Sequence, residues 1–486
     1  MRHWVIVVAV TLGVAGCGSR QPQPAEPETA APETPPERAP EKSVGWSGTQ
    51  PGEIQIDRWF TPESCSECHD EIYRQWQGTM HASSGRDPLF LGTVRFLRAN
   101  VSSEVERTAL RTCVRCHSGA GHISAGATDA FADLGPLTDL YDRGGTFCHF
   151  CHSTARTTPR DGWYVVEPGP SSDNMGDVRG PRQDCRTDGH AVAYSQLHEL
   201  ASFCGTCHEQ VHAASDIPVQ STFSEWRDSP YNTGEPATTV VCQDCHMRQI
   251  AGEPSTGATD RPDRPGSSSP AIGSLSPQRP HIWVHHVVGA NTLVPPFLAD
   301  DAHGRMAAER LRAAATLELV VPDHVAPGMP VVIEARVTNT GAGHAIPTGQ
   351  TDLRQMWIEL VVTSPSHGIT VFESGVIDGD GALPEDTHTF GTDYGNAAGE
   401  HVLFSARATQ VLRDHRIGPR ETVTERFETT APLGSGGTLE VRARLRYRPA
   451  APQMVTALLG DRAPDIEITD MAQDDATIEV AVPPSR

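Results

Sequence analysis

The sequence has few aromatic residues, fewer basic than acidic residues, and no long apolar run after its first segment. Aromatic residues make up 6% of the 486 residues, so a core built from side chains alone would be thin across the first half. The formal net charge of −22 makes nucleic acid an unexpected partner and leaves open a basic protein or an oxide surface. After Val14 no run is long or apolar enough to predict a transmembrane helix.

Cysteine is almost confined to one pattern. Ten of the twelve cysteines belong to five copies of Cys-x-x-Cys-His. A zinc site or a redox dithiol does not require a histidine directly after the second cysteine. Covalent haem requires all three residues, because the cysteines form thioethers to the vinyl groups of one porphyrin and the histidine ligates the iron. The sequence therefore predicts five haem c groups, with zinc as the alternative.

The residues predicted to hold these groups follow directly from the motifs. The thioether cysteines are Cys65, Cys68, Cys113, Cys116, Cys148, Cys151, Cys204, Cys207, Cys242 and Cys245. The proximal ligands are His69, His117, His152, His208 and His246. Cys185 is left over, and we interpret it as a free thiol.

The N-terminal segment predicts export. Residues 1–16 have a short basic start and an apolar run, as in a signal peptide. The run ends in Val-Ala-Gly-Cys, which resembles a lipoprotein box and predicts lipidation of Cys17; an ordinary cleaved signal peptide is the alternative. Gly18 is not the aspartate that, in the lipoprotein pattern, retains proteins at the inner membrane, so we expect an outer-membrane anchor. Residues 17–52 are rich in Pro and Glu and predict an extended tether.

The remaining chain divides in two by its patterns. Residues 53–314 carry every haem motif and predict a mainly helical or irregular pentahaem cytochrome domain. Within it we expect helices over Ser103–Thr112 and Ala191–Phe203, a disordered insert over 253–280, and a closing helix that contains Met306 and Leu311. Seven segments of residues 315–486 alternate apolar and polar residues, which predicts an all-β sandwich of immunoglobulin type without a disulfide.

The sixth iron ligand decides whether a haem carries electrons or binds a substrate. His81 follows the first motif by twelve residues and is a candidate distal ligand. His190 is preferred over His198 before the fourth motif, and His285 over its neighbours in HIWVHHVVGAN. Several other side chains remain open as ligands: His122, His212, His303, Met80 and Met247. We expect His149, inside its own motif, to face solvent or a haem propionate.

His344 is a candidate ligand from outside the haem domain. It lies in VTNTGAGHAIPTG, where we expect Gly341 and Gly343 to adopt backbone angles that other residues resist. Such a turn can hold one side chain outward, so we hypothesise that His344 reaches across the domain boundary to one haem iron. A turn histidine bonded to backbone is the alternative.

Several stretches resemble a known family. HELASFCGTCHE, TFSEWRDSPY, VVCQDCHM, HHVVGAN and VTNTGAGHAIPTG are similar to bacterial multihaem cytochromes c of the hydroxylamine-oxidoreductase-related group, including forms with an appended β-domain. The resemblance implies closely stacked, mostly bis-histidine haems that transfer electrons. It also implies distal ligands at His81, His190, His285 and His344. The chain has fewer motifs than the catalytic members and no region that resembles their substrate-binding elements.

These features predict an exported, lipid-anchored pentahaem cytochrome that transfers electrons between redox protein partners. We therefore expect an electron carrier and not an enzyme. One alternative is a reductase or oxidase of a small nitrogen or sulfur compound, with one open-coordination haem. Another is a structural or filament-forming cytochrome.

Overall fold

The computed structural model describes residues 54–101, 104–124, 145–160, 162–212, 215–434 and 436–481. The predicted signal peptide, Cys17 and nearly all of the tether lie outside these residues. Within them, no helix is long and apolar enough to cross a membrane.

Short helices carry the haem motifs. The α-helices of the described residues are Pro62–Ser66, Asp70–Gln77, Met80–Ser83, Pro88–Ala99, Glu104–His117, Gly119–Ser124, Cys148–Ser153, Ala201–Gly205, Thr222–Arg227, Cys242–His246, Val294–Phe297, Asp301–Arg312 and Pro452–Leu459. Each motif begins on one of them, and three motifs lie wholly within a helix. One turn of helix places the two cysteines and the histidine of a motif side by side.

Of the two helices predicted to precede haem motifs, one is confirmed and the other is largely wrong. The helix before the second motif is confirmed, and it continues through the motif to His117. The helix over 191–203 is wrong for most of its length. Ala191–Tyr194 is a strand that pairs in parallel with Asp177–Gly180, because Val192 and its neighbours find a backbone partner there. A 3-10 turn, Gln196–Glu199, and the helix Ala201–Gly205 follow.

The closing helix of this part is confirmed as Asp301–Arg312. Asp300 caps it, since its carboxylate accepts from the backbone N–H of His303 at 3.0 Å. Met306 and Leu311 are buried, as their spacing predicts.

The predicted disorder of 253–280 is wrong. Arginine side chains hold this irregular segment by bonding backbone carbonyls; Arg264, for example, donates to Arg248 O at 3.1 Å. Ser255 and Thr256 are buried. The low apolar content misled the sequence interpretation, because side-chain-to-backbone hydrogen bonds replace apolar packing here.

Strands in the described residues form three small sheets and two larger ones. The small sheets consist of β1 (Thr154–Thr158), β2 (Trp163–Val166), β3 (Asp177–Gly180), β4 (Ala191–Tyr194), β5 (Gln210–Val211) and β6 (Pro218–Gln220). The larger sheets consist of β7 (Ala315–Val320), β8 (His324–Val325), β9 (Pro330–Asn339), β10 (Gln355–Ser364), β11 (Ile369–Ser374), β12 (Thr389–Gly395), β13 (Gln410–His415), β14 (Thr422–Thr430), β15 (Gly437–Arg448) and β16 (Thr469–Val480).

All seven segments predicted as strands after residue 314 are strands, so the β-rich character of this part is confirmed. One sheet has the order β13-β12-β10-β15-β16-β8, with β11 also paired to β10, and the other has the order β14-β9-β7. Alternate residues of β9 and β10, including Ile333, Val337, Ile358 and Leu360, are fully buried in one shared core. The two sheets therefore bury their apolar faces against each other.

Candidate metal centres

Four motif histidines each lie opposite an imidazole from elsewhere in the chain. The ring centroids are 6.4 Å apart for His69–His190, 6.3 Å for His208–His81, 6.4 Å for His152–His285 and 6.4 Å for His246–His344. We number the sites 1 to 5 after their motifs, so these pairs belong to sites 1, 4, 3 and 5. The pairs join the four predicted distal histidines to four different motifs.

The shared separation fits a metal between the rings. Two imidazole–metal bonds of about 2 Å, with roughly 1 Å from each nitrogen to its ring centre, place the centroids roughly 6 Å apart. The observed gap is too wide for a direct hydrogen bond between ring nitrogens and recurs four times. The residues present therefore fit a haem iron bound between two histidines.

The second ring nitrogen of most of these histidines bonds to the protein. At site 1, Nδ1 of the motif histidine lies 2.7 Å from Ser268 O. The matching distances are 2.5 Å to Arg179 O at site 3 and 2.7 Å to Val288 O at site 5. Nδ1 donates to a carbonyl in the tautomer that leaves the Nε2 lone pair free, which is the usual arrangement of a metal-bound histidine. The insert 253–280 supplies the carbonyl of Ser268 and so orients the ligand of site 1.

Burial keeps several of these imidazoles neutral. It lowers the pKa of His81, His117 and His285 to about 4. It also lowers the pKa of His152 and His208. A neutral imidazole has the lone pair that a metal requires, so these side chains are ready to bind iron at pH 7.

The competing histidines make other contacts. His149 is buried and not solvent-facing: Phe60 N donates to its Nδ1 at 3.0 Å, and Nε2 lies 3.0 Å from Met175 O. His198 stacks on the motif ring of site 3, with 5.4 Å between centroids, and its Nε2 lies 3.1 Å from Cys151 O. The expectation that His149 faces solvent is therefore wrong.

His212, His303 and His281 are also engaged by the protein. His212 Nε2 lies 3.0 Å from Ala406 O, and Ser215 bonds its other nitrogen. His303 bonds Asp300 through Nδ1 at 3.0 Å. Nδ1 of His281 accepts from Arg264 N at 2.9 Å. These rings stabilise loops and helix ends.

Site 2 differs from the others because His117 has no imidazole opposite it in the described part of the chain. Its ring neighbour is Phe90, which stacks in parallel at 3.8 Å between centroids. His117 Nδ1 lies 3.0 Å from Ser84 O, as in the other sites. The only histidine outside the described residues is His3, in the predicted signal peptide. Among the described residues, site 2 therefore has no second histidine of the kind found at the other four.

The sites adjoin one another through their cysteines. Cys65 and Cys148 lie next to each other, which places sites 1 and 3 side by side. Cys204 and Cys242 also lie next to each other, which places sites 4 and 5 side by side. Gly162 links sites 2 and 4: its N–H donates to Thr206 O at 2.7 Å, and a side chain at this position would approach Cys116 Sγ to 3.0 Å.

The turn that carries His344 is held by a glutamate from the haem-motif part. Glu225 Oε2 accepts from Ala345 N at 3.2 Å and from Thr348 Oγ1 at 2.8 Å. Its other oxygen pairs with Arg416. These contacts fix the backbone next to His344 and hold its ring opposite site 5.

The expected role of the glycines in this turn is wrong. Neither Gly341 nor Gly343 has a positive φ; in this turn that conformation occurs at Gly349, with φ of 77°. Gly341 is required by space, since a Cβ there would lie 2.1 Å from Ala313 O.

Comparisons with known proteins agree with the motifs. The family described as cytochrome c554 and c-prime matches residues 64–153, which contain the first three motifs. Among solved structures, the penta-heme cytochrome c552 from Thermochromatium tepidum matches with a TM-score of 0.57 and 19% identity, over 87% of this chain and 100% of that chain. These findings support a multihaem c-type cytochrome with haem c as its cofactor.

Two further structural matches carry no argument because their TM-scores are far lower. They are a CARDB domain from Pyrococcus furiosus, at 0.16 and 14% identity over 34% of this chain and 87% of that one, and a conjugative transposon lipoprotein from Bacteroides eggerthii, at 0.13 and 13% identity over 34% and 96%. No curated protein matches the chain.

Sequence reasoning missed the difference at site 2. Counting histidines suggests that distal ligands are plentiful, with seventeen outside the motifs. The signal is visible only after the structure pairs four of these histidines with the other motifs and engages several others, such as His149 and His212, elsewhere.

Proposed function

We propose that the protein is an electron-transfer cytochrome that binds five haem c groups, four of them between two histidines. The observation that carries the proposal is the set of four imidazole pairs at 6.3–6.4 Å. The ten motif cysteines would form the thioethers, and the paired histidines would supply both axial ligands. Bound haem supplies one-electron iron chemistry.

The protein's own contribution is to hold the ligands and to place the sites close together. Backbone carbonyls fix the ring orientation of four of the five proximal histidines, which limits the rearrangement that accompanies a change in iron charge. The thioether cysteines of neighbouring sites lie next to each other, so no protein layer separates sites 1 and 3 or sites 4 and 5. Both features favour passing electrons from one site to the next.

The finer expectations belong to the same proposal. We propose export, lipidation at Cys17, attachment to the outer membrane, and an immunoglobulin-type arrangement of the two larger sheets. The partners would be redox proteins, with nucleic acid disfavoured by the net charge of −22. VVCQDCHM and HHVVGAN resemble the hydroxylamine-oxidoreductase-related group. This likeness supports the proposal that the protein is one of the electron-transfer members of that group.

Mass and redox measurements on the mature holoprotein test this proposal. The intact mass should exceed that of the polypeptide and its lipid by five haems, and the visible spectrum should change reversibly on reduction and reoxidation. Zinc in place of haem, or fewer haems than motifs in a fully matured sample, would contradict it.

A second candidate function rests on His117, the motif histidine without an imidazole partner. A haem with a single protein ligand can bind a small molecule, so site 2 would serve as a reductase or oxidase site for a small nitrogen or sulfur compound. The other four sites would then deliver electrons to it or remove them.

Cyanide binding separates the two candidates. If site 2 is open, ferric protein should bind one cyanide per chain, and the double variant Cys113→Ser/Cys116→Ser should lose this binding together with one haem. The matched variant Cys242→Ser/Cys245→Ser should lose one haem without losing the cyanide site of the wild type. If the wild type does not bind cyanide, the catalytic role of site 2 is rejected and electron transfer remains as the proposed function.

A further inference from the structure

Arg310 is a buried arginine without an acidic partner beside site 5. It lies on the helix Asp301–Arg312 and is 9% exposed. One terminal nitrogen donates to Cys245 O at 2.6 Å, and its Nε has no hydrogen-bond partner. Among the described residues, no carboxylate lies within ion-pair distance of its guanidinium.

Two other arginines beside the sites have acidic partners. Arg248, near the same motif, pairs with Asp244 at 3.2 Å and with Asp263 at 2.8 Å. Arg179, whose carbonyl contacts the motif histidine of site 3, pairs with Glu167. Arg310 therefore stands out as a buried positive charge that is not neutralised by a neighbouring side chain.

Burying an unpaired charge is costly unless a countercharge or hydrogen-bond acceptor balances it. Burial lowers the pKa of Arg310 to about 10, so the group stays positive at neutral pH. The unpartnered Nε belongs to the same guanidinium that contacts Cys245 of the fifth motif. A guanidinium in this position favours a lower positive charge at site 5.

Arg310 lies next to the axial pair of site 5. Its guanidinium donates to the carbonyl of Cys245, the residue before His246, and the ring of His246 faces that of His344 at 6.4 Å. A fixed positive charge beside this pair opposes extra positive charge at an iron between the two rings.

We propose that Arg310 raises the reduction potential of site 5 above those of the bis-histidine sites 1, 3 and 4. Reduction adds one electron and no proton, so the net charge of the site falls by one when ferric iron becomes ferrous. The guanidinium favours that lower charge. This inference rests on the proposed function and adds to it which of the four bis-histidine sites, the one beside the β-rich part, holds an electron most strongly.

Three variants test the role of the charge. Arg310→Gln removes it, Arg310→Lys keeps it with fewer donors, and Arg312→Gln removes an exposed arginine from the same helix as a control. Each holoprotein is reduced stepwise with dithionite in the presence of mediators, and haem content is checked by intact mass.

In Arg310→Gln, the equilibrium constant for reducing one of the five haems should fall on the order of tenfold, about 59 mV for a one-electron couple, with the others unchanged. Arg310→Lys and Arg312→Gln should stay close to the wild type. Five haems with unaltered potentials in Arg310→Gln would overturn the inference and leave the proposed function intact. An equal loss in Arg310→Lys would also overturn it, because charge would not be the cause.

The wild type offers an independent check if Arg310→Gln does not fold. The haem that loses its low-spin signal in His344→Ala identifies site 5. In the wild type that haem should have the highest potential of the four low-spin haems. A lower rank would overturn the inference.

Discussion

The imidazole of His344, in the β-rich part of the chain, lies 6.4 Å from that of His246, with the ring planes 18° apart. One ring comes from a Gly-rich turn after β9 and the other from the last haem motif. Under the proposed function, this pair means that the β-rich part completes site 5, which gives this part a role in the cofactor array.

Substitution of His344 should affect a single haem. His344→Ala removes the distal ligand of site 5, so one haem should become high-spin or bind an added ligand such as imidazole, while the other four keep their spectra. Electron paramagnetic resonance of the ferric protein measures this. His324→Ala, which removes an exposed histidine of the same part, is the control. An unchanged low-spin spectrum in folded His344→Ala would contradict the assignment.

The ion pair behind that turn should stabilise the protein. Glu225 and Arg416 are 12% and 14% exposed at their side chains, so Glu225→Gln removes one partner of a largely buried pair. Arg416 keeps Asp414 at 2.7 Å, so we expect a loss of about 2 kcal/mol in the free energy of unfolding.

Thermal unfolding followed by circular dichroism checks this, with an exposed pair as the control. Glu428→Gln breaks the contact with Arg426, whose side chains are 64% and 60% exposed, and should cost under about 1 kcal/mol. Equal effects of the two variants would show that the turn does not depend on Glu225.

Asp87 should make stability depend on pH. It caps the helix Pro88–Ala99 by accepting from Leu89 N at 2.8 Å, and burial raises its pKa from 3.8 to about 6. Between these values the folded state binds more protons than the unfolded state, so this group makes the protein less stable as pH rises through that window.

Asp87→Asn keeps a good capping residue and removes the buried charge. It should stabilise the protein by about 1–2 kcal/mol at pH 7.5, and the gain should shrink as pH falls from 6 to 4. Asp300→Asn is the opposite case, because hydrogen bonds from His303 outweigh burial and lower the pKa of Asp300. Asp300→Asn should lower the free energy of unfolding at neutral pH. Urea denaturation across this range measures both, and a pH-independent effect of Asp87→Asn would contradict the expectation.

The lipid anchor is tested separately from the haem sites. Cys17→Ser should release the protein from membrane fractions because the predicted acyl attachment is lost, and the haem spectrum should stay unchanged. Sedimentation of the variant with membranes would place the anchor elsewhere.

The motif residues could be predicted from the sequence because all three groups of each site are neighbours on one turn of helix. The distal histidines could not be separated by spacing. His190 and His198 both precede the fourth motif, yet the fold places one opposite site 1 and stacks the other on the histidine of site 3.

Tertiary contacts also determine the structure of the two segments that the sequence analysis assigned wrongly. Val192 lies in a strand because β3 offers a backbone partner, and the 253–280 segment is held by arginine hydrogen bonds that its composition does not show. Arg310 carried no sequence signal, since only burial distinguishes it from Arg312 on the same helix.

Near-infrared magnetic circular dichroism of the fully ferric holoprotein tests the central claim most directly, because it counts axial ligand types haem by haem. The structure predicts four bis-histidine low-spin haems and one haem, at His117, without a second histidine. Five bis-histidine haems, or fewer than four, would contradict the account.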